Sequence, residues 1–271
     1  EAGITKEEVA AVLGLPEGVD PTTFNPFGAD VDPVQALAVE KISQQVMTTI
    51  TAVSTAIESA GGDSVDAFAM ALESVVEVVQ EKAEAIKTLP AGSSLKINFS
   101  DATEVEAFTA KVSVKIAEQG IASTESFEAV KSQLEIAVSN VNSKINEVTD
   151  LNSEEAMAAF AISSELNSQV KEAVEAKGDS TAVISFVDVG AIENSQAEKV
   201  AEIKEKIDSG ELVLRPQPEV PVDPEVPSGP EEPEVPVGPE VPGGPEDPEV
   251  PVGPEAPGGP EDPEVPVDPE A

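Results

Sequence analysis

The chain contains no cysteine, histidine, tryptophan or tyrosine, and its aromatic residues are eight phenylalanines. Without cysteine there is no disulfide framework, thiol nucleophile, iron–sulfur cluster or cysteine-built zinc site. Its absence fits an exported bacterial protein and a cytosolic one alike. Without histidine the commonest general base is missing, along with any triad built on it. Basic residues are scarce too, 15 against 53 acidic ones in 271 residues, for a formal net charge of −38. So negative a chain repels phosphate backbones, and nucleic acid is excluded as a partner. Its apolar stretches are interrupted by charge, so membrane insertion is not expected. Helices that lie on an anionic membrane carry Lys and Arg on their polar face, which these do not. The sequence opens at Glu1 with no apolar signal segment, as expected of a processed product or a fragment of a longer chain.

What is present divides near Arg215, the last basic residue. From Pro218 to Pro269 every third residue is proline, eighteen in all. A longer period of fifteen overlays this one: PEVPVDPEVPSGPEE, PEVPVGPEVPGGPED and PEVPVGPEAPGGPED follow one another from residue 218. Polyproline II has three residues per turn, so a P-x-x repeat lines one edge of it with rings. Proline also removes the backbone donor that a helix or sheet needs. Collagen is excluded, because glycine does not occupy every third position. Residues 216–271 hold 12 Glu and 4 Asp with no Lys or Arg, and like charges extend such a strand further. Fully extended, the segment would reach roughly 170 Å. The expectation is an acidic spacer, either polyproline-II-like or disordered. A P-x-x-P docking ligand fits less well, because such ligands usually carry a basic anchor.

Residues 1–215 read as helical. Thr5 and Glu8 form a capping box, and the first helix stops at Gly14. Asp32 before Pro33 starts a second, with Val39, Ile42, Val46, Ile50, Val53 and Ile57 at steps of three and four. Asp63 or Ser64 opens a third, whose seam reads Val65, Phe68, Leu72, Val75, Val79, Ala83 and Ile86 before Pro90. A fourth runs from Asp101 through Val105, Phe108, Val112 and Ile116 to Gly120. A fifth runs from Thr124 through Phe127, Leu134, Val138 and Ile145. The sixth follows Ser153 through Leu166 and Val170, and the last covers about 195–208. LKINF (95–99) and TAVISFVDV (181–189) have strand composition and predict a small two-stranded ribbon. The predicted fold is mainly α, a multi-helix bundle with that ribbon, followed by the extended tail. A sub-boundary of the head is conceivable near residue 90. About 215 residues suffice for a sizeable core.

The most individual segment is LPEGVDPTTFNPFGADVDP (15–33). Asp20, Asp30 and Asp32 could contribute carboxylates to a calcium ion, which takes six to eight oxygens. Neither the EF-hand pattern nor the glycine-rich nonapeptide is present. Asp20 and Asp32 each precede proline, a position that turn and N-cap roles explain better. Asp63 and Asp66 carry the same ambiguity, with capping favoured. Phe24 and Phe27 are either an exposed recognition pair or staples that pin the loop onto the core. No G-x-S-x-G, Walker A or dinucleotide fingerprint occurs. Among so many acidic residues, any pair of carboxylates is uninformative. The expectation is a protein that is not an enzyme.

Residues 9–57 resemble helical segments of very large bacterial secreted or cell-surface repeat proteins. Those proteins combine cadherin-like or immunoglobulin-like modules with calcium-binding RTX repeats. The likeness rests on Leu13-Gly14-Leu15-Pro16, Val19-Asp20, Phe24-Asn25-Pro26 and the Gln44-Gln45-Val46 helix. It implies an extracellular or cell-surface location and an adhesive or structural role. The chain itself has no cadherin-like strands and no RTX nonapeptides. The expected function is a non-catalytic module, a helical head on a proline-rich stalk, with a protein or cell-surface partner. Two alternatives stand beside it. One is a helical self-assembly or protein-binding unit with the tail as solubiliser. The other is an acidic cation-binding or salt-adapted extracellular protein.

Overall fold

A computed structural model describes residues 4–28, 30–90, 95–176 and 183–212, all within one compact unit, Glu1–Val220. The proline repeat at 216–271 lies outside the described residues. Seven α-helices are described: α1 (Lys6–Leu13), α2 (Pro33–Ser59), α3 (Ser64–Lys87), α4 (Ala102–Gln119), α5 (Thr124–Glu147), α6 (Glu154–Glu175) and α7 (Val189–Asp208).

Each helix begins on a side-chain cap. Thr5, Asp32, Asp63, Asp101, Ser123, Ser153 and Asp188 accept hydrogen bonds from backbone N–H groups of α1 to α7 in turn. An N-cap satisfies donors that the first turn leaves unpaired, for about 1 kcal/mol each. Glu8 reciprocates on the Thr5 N–H and completes the capping box. α1 and α4 end on Gly14 (φ 76°) and Gly120 (φ 65°), left-handed positions where a Cβ would be strained.

Consecutive helices from α2 to α7 pack side by side, and α2 returns to pack on α5 and α6. One hydrophobic core runs from Val12 in α1 to Ile192 in α7 and includes buried residues on both sides of residue 90. Its largest fully buried side chains include Phe99, Phe108, Phe127 and Phe186. Burying a Phe side chain contributes roughly 1.5–3 kcal/mol. Phe99 stacks on Phe108 at a centroid distance of 5.7 Å. Elsewhere small residues bring helices close: Ala52, Ala56 and Ala60 of the α2 end meet a core that also holds Ala67 and Ala71 of α3. A smaller cluster of Val148, Ala156 and Ala159 with Leu37 and Phe160 closes one end.

The predicted ribbon is not formed; there is no β-strand among the described residues. Residues 95–98 form neither helix nor strand and dock on α1, with Ile97 N–H donating to Val12 O (2.9 Å). Ser185–Val187 form a 3-10 turn, and residues 181–182 lie outside the described residues. Both segments alternate in the manner of a strand because each sinks alternate side chains, Ile97 with Phe99 and Ile184 with Phe186, into the helical core. Their backbone groups are met by the helices, through side chains of α5 and, at Ile97, the Val12 carbonyl of α1, rather than by each other. α7 starts at Val189, six residues ahead of the sequence expectation, because Asp188 caps it.

Candidate functional site

The loop before α2 turns its acidic residues into backbone caps. Asp20 Oδ1 accepts from Thr22 Oγ1 (2.6 Å) and from Thr22 N (2.8 Å), while Oδ2 lies 3.4 Å from Lys6 Nζ. These contacts, the Thr22 hydroxyl foremost, hold the Asp20 carboxyl below the usual range. Asp32 Oδ1 accepts from the N–H groups of Val34 and Gln35, both at 2.9 Å. Asp30 is exposed in the turn between them. Among the described residues no three acidic side chains group closely enough to hold a metal ion, so Asp20, Asp30 and Asp32 are not brought together. Asp63 caps α3 and Asp66 is exposed in its first turn. Of the loop phenylalanines, Phe24 is half-buried and Phe27 is 49% exposed.

A buried polar seam, unmarked by any motif, joins α2 to α5. Asn142 Nδ2 donates to Phe99 O (3.0 Å) and to Thr49 Oγ1 (3.1 Å). Thr49 Oγ1 donates to Gln45 O, and Gln45 Nε2 donates to Asn142 O. The carbonyl acceptor at Phe99 fixes which way the Asn142 amide points. One helical turn earlier, Ser139 Oγ donates to Ser100 O (2.7 Å). On another face of α5, Asn140 Nδ2 donates to Phe186 O and Val187 O, and Gln133 Oε1 accepts from Ile184 N. Polar side chains of this one helix thus tie down both inter-helix segments. The arrangement satisfies buried backbone groups; its chemistry is structural.

Between α4 and α5, Thr109 Oγ1 donates to Glu135 Oε1 at 2.5 Å. Burial pushes the Glu135 carboxyl above its ordinary value, opposed by Thr109 and Lys131 and reinforced by Glu106 and Glu128. Glu128 in turn accepts from Ser113 Oγ.

The surface of α3 departs from the sequence seam. Val65, Phe68 and Leu72, expected in the core, are 73%, 40% and 40% exposed, as is Val76 at 41%. The buried residues instead are Ala67, Met70, Ala71, Ser74, Val75, Val78, Val79 and Ala83. The apolar face of α3 is therefore wider than one bundle seam. Val65, Phe68, Leu72, Val76, Val79, Ala83 and Ile86 follow steps of three and four along a single stripe. Its C-terminal half is buried at Val79 and Ala83; α1 also packs on α3, and Lys87 Nζ lies 3.5 Å from Glu8. Its N-terminal half is open. Beside it Lys115 bridges Glu73 (3.2 Å) and Glu77 (2.8 Å), and Lys111 bridges Glu77 and Glu81. Lys115 holds the Glu77 carboxyl below its usual range.

No helix among the described residues is long and apolar enough to cross a membrane. No protein-family model, curated protein or solved structure matches the chain. Fold and site together define a helical bundle with one apolar core, an internal polar seam and an uncovered apolar helix face.

Proposed function

We propose that the chain is a non-catalytic interaction module of a bacterial surface or secreted protein. The helical head, about residues 3–210, makes the contacts, and residues 216–271 hold it away from a neighbouring module or anchor. The observation that carries this reading is the junction in the sequence. An unbroken period of eighteen prolines with no basic residue begins at Pro218, ten residues after α7 ends at Asp208. Such a segment loses a backbone donor at every third residue, which breaks any helix or sheet ladder, so it suits a spacer and not a second core. The surface location draws on the resemblance of residues 9–57 to helical segments of secreted repeat proteins.

Small-angle scattering of the full chain tests the spacer. A compact particle of 271 residues would have a radius of gyration of about 19 Å. A projecting tail raises the radius well above that and gives the distance distribution a long, thin shoulder. A radius close to the compact value would overturn the reading.

A further inference from the structure

We propose that the open half of the α3 stripe is a docking site for an amphipathic helix of a partner protein whose polar flanks carry Lys or Arg. The inference rests on reading the head as an interaction module, and it names the partner's chemistry. Single exposed apolar residues are ordinary; those outside α3 are scattered, as with Val34 and Met47 far apart on α2 and Val189 at the start of α7. Val65, Phe68, Leu72 and Val76 differ because they form one row over three turns of one helix. The same row runs on to Val79 and Ala83, which are buried, and the short helix α1 packs on α3 with an ion pair between Glu8 and Lys87.

Charge decides the occupant. The uncovered half has Asp66 and Glu73 exposed at its flank, and the nearby lysines, Lys111 and Lys115, are taken up by Glu73, Glu77 and Glu81. Residues 1–215 carry 37 acidic and 15 basic residues, so the approach of an acidic partner is opposed at long range as well. A second copy of this chain brings the same acidic rim. Helix-in-groove recognition, read through anchors three and four residues apart, matches both the length and the spacing.

The test uses the full chain and a fluorescent helical peptide of leucine and lysine about four turns long, with a leucine/glutamate peptide of the same pattern as its counterpart. The lysine peptide should bind and the glutamate peptide should not. V65S/L72S should weaken binding at least about tenfold with its thermal midpoint kept, and Val65→Ser alone covers the case in which the double variant unfolds. D66N/E73Q should weaken binding severalfold and flatten its salt dependence. V34S/V183S, away from the stripe, should bind as the parent does. Equal binding by V65S/L72S would reduce the effect to bulk charge attraction and overturn the site. Sedimentation that shows a dimer lost in V65S/L72S would give the face to a second copy and overturn the partner. The scattering result for the tail is independent of all these outcomes.

Discussion

Asn142 Nδ2 sits between Phe99 O and Thr49 Oγ1, at 3.0 and 3.1 Å, inside a core where the residue is fully buried. Truncation to alanine would leave both oxygens without this donor and open a small void, while also removing a buried Oδ1 that has no hydrogen-bond partner. Stranding a buried polar partner costs about 1–3 kcal/mol, to which the void adds. Asn142→Ala is therefore expected to lower stability by about 1–2 kcal/mol, a fall of roughly 2–8 °C in the thermal midpoint for a head of this size. Nothing in the sequence marked this residue. Its one signal was position, since Asn142 lies four residues after Val138 and three before Ile145, next to Val141 on the apolar seam. Asp32 is the opposite case, since the pair Asp32-Pro33 announces a helix start and Asp32 Oδ1 accepts two backbone N–H groups. Asp32→Ala should cost about 1 kcal/mol, read as a lower urea midpoint with an unchanged slope.

At the scale of elements, most helices were legible because two independent signals agreed, whereas α7 was started late because the Asp188 cap was not read. Apolar steps of three and four gave the body, and a Thr, Asp or Ser gave the start. The ribbon was misread because period-two alternation reports only that alternate side chains are buried. It does not say whether the backbone pairs with another strand or with Asn140, Asn142 and Gln133 on a helix. The α3 seam was overread for a similar reason, since helical spacing cannot tell a covered stripe from an open one. The α4–α5 contact supports a prediction that neither signal contains. Glu135 keeps its proton to higher pH in the folded chain than its ordinary value of 4.5, chiefly through burial, and Glu106 and Glu128 add to this while Lys131 and Thr109 oppose it. The folded state then binds more protons than the unfolded one, so stability falls as pH rises through the folded value. Glu135→Gln stays neutral and keeps an acceptor for Thr109 Oγ1. It should be more stable than the parent at pH 7, with the advantage vanishing near pH 4, as followed by urea titrations across that range. An advantage that persists unchanged at pH 4 would mean that packing, not ionisation, separates the two side chains.

For the whole molecule the dominant fact is charge, 53 acidic residues against 15 basic ones. Most of the described ion pairs are partly exposed, and such pairs add little each, so they cannot offset the repulsion of the unpaired remainder. Folding draws these charges together, and salt screens them over about 10 Å at 0.1 M and less above that. Raising sodium chloride from about 0.05 to 0.5 M should therefore raise the thermal midpoint of the full chain by several degrees. The same measurement separates general screening from a specific cation. Asp20 Oδ1 and Asp32 Oδ1 already accept hydrogen bonds from Thr22 and from the first turn of α2, and a calcium ion would have to compete with those caps. Millimolar calcium and sodium at matched ionic strength should accordingly give midpoints that coincide. A calcium-specific rise would instead require the carboxylates of residues 20, 30 and 32 to rearrange around one ion, because a ligand raises the midpoint only by binding the folded state in preference to the unfolded one. Asp30→Asn should then abolish the rise, since Asp30 is exposed in its turn and its loss touches neither cap.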